Sequence, residues 1–123
     1  MSLYDVGPSL LVLGIAGNED LTGTLEGIGN LVNLEELYIG ETGMSGTLPE
    51  DMGNLVKLKL IVSPETSFTG PIPSTFGGLT NLKEMNFESN SLSGALTEEL
   101  GGMVALEEVL LNDNGEYYDT AYL

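Results

Sequence analysis

Residues 82–105 read LKEMNFESNSLSGALTEELGGMVA, and this stretch decides the fold. Its apolar residues are Leu82, Met85, Phe87, Leu92, Leu96, Leu100 and Met103, with Asn90 in the middle and Ser93-Gly94 soon after. Neither the helical period nor strand alternation holds throughout. The spacing suits one turn of a coil that buries its apolar side by stacking on copies of itself.

Those copies are present. The trio Leu82, Met85, Phe87 recurs as Leu58, Ile61, Ser63, then as Leu34, Leu37, Ile39, and as Leu10, Leu13, Ile15; downstream it recurs as Leu106, Val109, Leu111. The first members, 10, 34, 58, 82 and 106, are 24 residues apart at every step. Self-similarity at a fixed period of this size signals a solenoid. Other columns align with the trio: Asn18, Thr42, Thr66, Asn90 and Asn114; Met44, Phe68 and Leu92; Met52, Phe76 and Leu100; Leu55, Leu79 and Met103. The first repeat is irregular. One residue is inserted near Asp20, one is missing after Leu25, and phase returns by Ile28 and Leu31.

Within each trio the last two members alternate with another residue, as in a short strand. Strands one period apart stack as parallel neighbours about 4.8 Å apart. Parallel pairing needs a return path of a dozen or more residues, which the rest of each repeat supplies. Gly and Pro on that path oppose a regular helix, so turns and short 3₁₀ segments are expected on the outer side. The column of Asn18, Thr42, Thr66, Asn90 and Asn114 reads as a structural ladder. A buried polar side chain needs partners, and Asn can bond the backbone of its own turn and the next.

The resulting pattern, LxxLxLxxNxLxGxxP, resembles the leucine-rich repeat. The segments SGTLP at 45–49 and TGPIP at 69–73, with MGNL at 52–55 and FGGL at 76–79, are similar to its plant-type subclass. The resemblance covers about residues 6–114. It implies an α/β-type solenoid, a right-handed coil with a parallel sheet on one side and mostly loops and 3₁₀ turns on the convex side. It also implies a receptor-like protein with an extracellular, cell-surface or organelle-lumen location. The expected layout is a lead-in at 1–9, repeats over 10–114 and a tail at 115–123. Two readings of the ends stay open. The chain is a piece of a longer array or has a disordered tail, or else Tyr117, Tyr118, Tyr122 and Leu123 fold over the last turn as a cap. Open solenoid ends can also contact neighbouring chains.

Composition narrows the function. Nineteen Asp and Glu face three Lys, giving a net charge of −16. Such a surface repels phosphate, which argues against nucleic acid and anionic membranes as partners. No apolar run is long enough to insert in a bilayer. The apolar run at 10–16 lacks a preceding basic residue and a good cleavage context, so it reads as the first repeat and not as a leader. With no His and no Cys there is no imidazole base and no thiol nucleophile. No phosphate-binding Gly loop appears. No catalytic residue, cofactor or metal ligand is expected. Calcium is a weaker option, because no spaced Asp loop accompanies the carboxylates.

Residues alternating with the buried trio should form the concave face. One column reads Val12, Glu36, Leu60, Glu84, Glu108; the next reads Gly14, Tyr38, Val62, Asn86, Leu110; Glu88 follows at the rim. Glu36, Tyr38, Leu60, Val62, Glu84, Asn86, Glu88, Glu108 and Leu110 are the candidate contacts for a protein or peptide, basic or amphipathic in character. Apolar members would supply area and carboxylates steering. Glu35 with Lys59 and Lys83 with Glu107 are neighbouring opposite charges. The expected function is non-catalytic binding by part of a larger receptor-like or secreted protein. The alternative is an accessory subunit wedged in an assembly.

Overall fold

A computed structural model describes residues 9–115. Residues 1–8 of the expected lead-in at 1–9, and residues 116–123 of the expected tail at 115–123 with its tyrosine cap, lie outside the described residues. Among the described residues the chain forms nine short strands: β1 (Val12–Gly14), β2 (Thr22–Gly23), β3 (Glu36–Tyr38), β4 (Gly43–Thr47), β5 (Leu60–Val62), β6 (Ser67–Gly70), β7 (Glu84–Asn86), β8 (Ser91–Leu92) and β9 (Glu108–Leu110). Turns of 3₁₀ helix lie at Ile28–Asn30, Glu50–Asn54, Ser74–Gly78 and Glu98–Gly102. This is the solenoid that the period implies, with the parallel sheet and outer 3₁₀ turns expected from the resemblance.

The odd-numbered strands make one sheet in the order β1-β3-β5-β7-β9, all parallel. Its register is the sequence period itself, with Leu13 beside Leu37, Leu37 beside Ile61, Ile61 beside Met85 and Met85 beside Val109. That row faces inward and meets Met52, Phe76 and Leu100, which the 3₁₀ turns project from the far side of the core. Burial of each such side chain stabilises the fold by about 1.5–3 kcal/mol. The middle trios are fully enclosed, whereas Leu10, Ile15, Leu106 and Val109 are only partly covered. Each end turn has a stacking neighbour on one side only.

The outer side consists of 3₁₀ turns because Gly and Pro punctuate it. Pro49 and Pro73 sit extended just before two of the turns, and the amides of Leu55 and Leu79 close them on Met52 and Phe76. The turns pack closely, backbone on backbone. A Cβ added at Gly53 would lie 2.5 Å from the Thr75 carbonyl oxygen, so only glycine fits there. The first turn is three residues long where the others have five, and it lies in the repeat that lacks a residue after Leu25.

The sequence reading does not foresee a second sheet. Strands β2-β4-β6-β8 pair in parallel where the segment after the Asn/Thr column was read as turn. Their inward residues are the buried Met44, Phe68 and Leu92. Alternation of these with Ser and Thr is a strand signal of period two, masked by the Gly residues beside it.

The polar ladder is more selective than expected. Asn90 Nδ2 donates to Ser63 O at 2.8 Å and to Phe87 O at 3.1 Å, while its Oδ1 accepts from Phe68 N at 3.1 Å. Asn114 repeats this arrangement with Phe87 O, Leu111 O and Leu92 N. Both asparagines therefore join their own turn to the preceding one, not to the next. The threonines stay within their turn. Thr42 bonds Ile39 O, and Thr66 bonds Ser63 O and the Ser63 hydroxyl. Asn18, exposed in the first repeat, holds Ile15 O and Ala16 O. A hydroxyl is too short to reach the neighbouring turn.

Candidate concave binding face

The first sheet places two register rows on its outer side. Val12, Glu36, Leu60, Glu84 and Glu108 form one, and Gly14, Tyr38, Val62, Asn86 and Leu110 the other. Leu60 and Val62 are half-buried, as are Glu36, Tyr38, Glu84, Glu88 and Leu110, and Glu108 is exposed. A strand carries each pair of side chains two residues apart on one face, and the stack brings five strands side by side.

Several local contacts organise this face. The Tyr38 hydroxyl donates to Glu36 Oε1 at 2.5 Å. That bond to the carboxylate keeps the proton on the phenol and raises its pKa above the usual tyrosine range, with desolvation a smaller cause. Glu35 and Lys59 form an ion pair at 2.8 Å. The hydrogen bond from Lys59, then its charge, lowers the Glu35 pKa, and the same contact raises that of Lys59. The expected partner pair, Lys83 and Glu107, forms no ion pair among the described residues. Both instead line an open cleft of about 520 Å³ with Leu60, Glu84 and Glu108. An apolar floor with carboxylates around it can seat an aliphatic chain that ends in a cation.

Asn86 departs from the expectation of an exposed contact. It is 9% exposed, and its Oδ1 accepts from the Glu88 amide at 3.0 Å. Its role is to shape the turn after β7, so it offers little surface. The signal was available: Asn two residues before a turn often bonds the backbone in this way.

One feature of the rim escaped the sequence reading. Glu41, Glu65, Ser89 and Asp113 occupy one column, and all four have positive φ, between 53 and 59°. Each of the first three donates its amide to the next repeat, to Pro64 O, Glu88 O and Asn112 O. Three residues of this left-handed column, Glu41, Glu65 and Asp113, are acidic and exposed. Among the described residues no group of three or more acidic side chains could hold a metal ion, and no helix is long and apolar enough to cross a membrane.

A sequence profile described as Leucine Rich Repeat matches residues 33–55 and 81–103. No curated protein matches the chain. Among solved structures, the chain is similar over 88% of its length to a plant peptide hormone receptor, RGFR1, in complex with RGF2, at 38% identity and a TM-score of 0.85. The ectodomain of the Arabidopsis receptor kinase HAESA, in complex with an IDA peptide hormone, matches over 87% of the chain at 32% identity and a TM-score of 0.82. A plant ice-binding protein matches over 87% at 29% identity and a TM-score of 0.81. The chain spans 18%, 18% and 35% of the lengths of these three. The period, the stacked parallel strands and these likenesses together make the chain a leucine-rich repeat protein of the plant type.

Proposed function

We propose that this chain is a non-catalytic binding module for a protein or peptide, part of a larger receptor-like or secreted protein, working outside the cell. The observation that carries the reading is the cleft in which Leu60 lies among Lys83, Glu84, Glu107 and Glu108, three carboxylates against one ammonium. Two of the similar proteins are receptors whose structures hold peptide hormones. A peptide with a basic and an apolar side chain close together fits the cleft. Leu60 and Val62 provide contact area, and Glu36, Glu84, Glu88 and Glu108 draw the peptide in electrostatically. Screening a synthetic peptide library on the immobilised protein tests this. Binders should be enriched in Lys or Arg beside an apolar residue, and capture should fail on the Glu84→Lys/Glu108→Lys variant. Equal capture by that variant would refute the concave site.

A second reading is favoured by a separate observation. One similar structure is a plant ice-binding protein, and the exposed side of the second sheet here carries the hydroxyl residues Ser45, Thr47, Ser67, Thr69 and Ser91, with Glu26, Glu50 and Asp51 beside Thr47 at one margin. On this reading the chain engages ice.

A further inference from the structure

We infer that the concave face takes an extended peptide with an apolar residue and an arginine two positions apart; this rests on the concave-site reading above. The apolar side chain lies on Leu60 and Val62, and the guanidinium lies between Glu84 and Glu108. The charges of the face select the place. Glu36 already accepts from the Tyr38 hydroxyl, and Glu35 is paired with Lys59 at 2.8 Å. Lys83 and Glu107 lie on neighbouring segments, where the Glu107 amide donates to Lys83 O at 2.8 Å, and their opposite charges offset one another. Of the carboxylates lining the cleft, Glu84 and Glu108 remain.

These two are direct partners in the β7–β9 register. Like charges in that position are unfavourable. A guanidinium carries five N–H donors in a rigid plane and can bond both carboxylates at once. The apolar floor is one strand away. Leu60 pairs with Glu84 in the β5–β7 register, and Val62 follows two residues along β5 on the same face. Both are half-buried and rigidly seated in the sheet.

The spacing of the peptide follows from the sheet. The face is five strands wide, and each strand is three residues long, so its long axis runs across the strands. From β5 to the middle of β7 and β9 is one and a half strand spacings, about 7.2 Å. Two residues of extended chain cover about 6.6 Å. Side chains one or three positions apart on an extended chain point to opposite sides, so one of them would face water. Four positions span about 13 Å, beyond β9 at about 9.6 Å from β5. Side chains that meet this face together are therefore two positions apart in the peptide, not adjacent.

Four peptides test this, each with one Leu and one Arg in a Gly-Ser background, spaced by one, two, three or four positions. All carry the same charge, so general attraction to the acidic chain is common to them. NMR chemical-shift titration reads affinities into the millimolar range, on the wild-type chain and on Glu84→Lys/Glu108→Lys. The spacing of two should bind at least about tenfold more tightly than the others, about 1.4 kcal/mol, and should lose that advantage on the variant. Should the variant fail to fold, Glu84→Gln/Glu108→Gln replaces it, with the same loss expected. Equal affinities at all spacings, or a tighter spacing other than two, with binding lost on the variant, would overturn the spacing and leave the concave site standing. Failure of all four to bind the wild type, or binding that the variant leaves unchanged, would overturn the spacing and the concave site together.

Discussion

Asn90 Nδ2 donates to the carbonyl oxygen of Ser63 at 2.8 Å, joining two turns 27 residues apart. Asn90 is 8% exposed, and Ser63 is fully buried. The bond is buried beside the Ser63 and Thr66 hydroxyls, where an unpaired amide or carbonyl costs about 1–3 kcal/mol.

Replacing Asn90 by Leu should therefore destabilise, although Leu is the more apolar residue. Phe68 N loses its acceptor and is left buried, and the Ser63 and Phe87 carbonyls each lose one donor while keeping those from Thr66 and Asn114. Urea unfolding should register a loss of roughly 2–3 kcal/mol. Thr66→Val should lose only about 1 kcal/mol, since Ser63 O keeps its bond to Asn90. Equal losses in the two variants would contradict a ladder in which only Asn spans turns.

Gly40 is buried, and a Cβ there would lie 2.6 Å from Pro64 Cδ and 2.8 Å from Pro64 O. Neither atom belongs to a flexible side chain. Gly40→Ala should cost roughly 1–3 kcal/mol through overpacking. Gly101→Ala, with nothing within 4 Å, is the control and should be neutral or stabilising. Comparison of the two thermal midpoints decides it.

Glu65 adopts φ 53°, where a side chain costs about 1–2 kcal/mol. Glycine would relieve that strain and give back about 0.5–1 kcal/mol in backbone entropy. Glu65→Gly should leave the fold up to about 1 kcal/mol more stable in urea. A clear loss of stability would mean that the Glu65 side chain supports the rim.

The phenol of Tyr38 should titrate later than an ordinary tyrosine, because its hydrogen bond to the Glu36 carboxylate holds the proton. Its folded pKa is raised above the unfolded value. The stabilisation is thus fully present below the ordinary tyrosine range and is lost as pH rises through the folded value. A difference absorbance titration of wild type against Tyr38→Phe isolates this group, and Glu36→Gln should bring its midpoint down. A midpoint at or below the usual range would contradict the bond.

Much of this structure was readable because stacking enforces the period. Leu37, Ile61 and Met85 must face one core in one register, so their spacing repeats and the sheet follows. The rows of Glu36, Leu60 and Glu84 alternate with them and were legible for the same reason. The second sheet was not, since Gly46 and Gly70 look like turn residues when read singly and act as strand positions only when Thr47 and Ser91 pair beside them. Asn86 was misplaced because alternation gives the direction of a side chain, not whether the next turn folds over it. The left-handed column at Glu41 and Glu65 left no trace in residue type, because Glu is a poor indicator of positive φ.

The concave site is tested most directly by titrating the strongest library peptide into the wild-type chain and the Glu84→Lys/Glu108→Lys variant at low and moderate salt. The proposal predicts that the variant binds at least about tenfold more weakly, a change of about 1.4 kcal/mol, and that added salt weakens the wild type more than the variant. Equal affinities with the same salt dependence would place the peptide elsewhere on the solenoid.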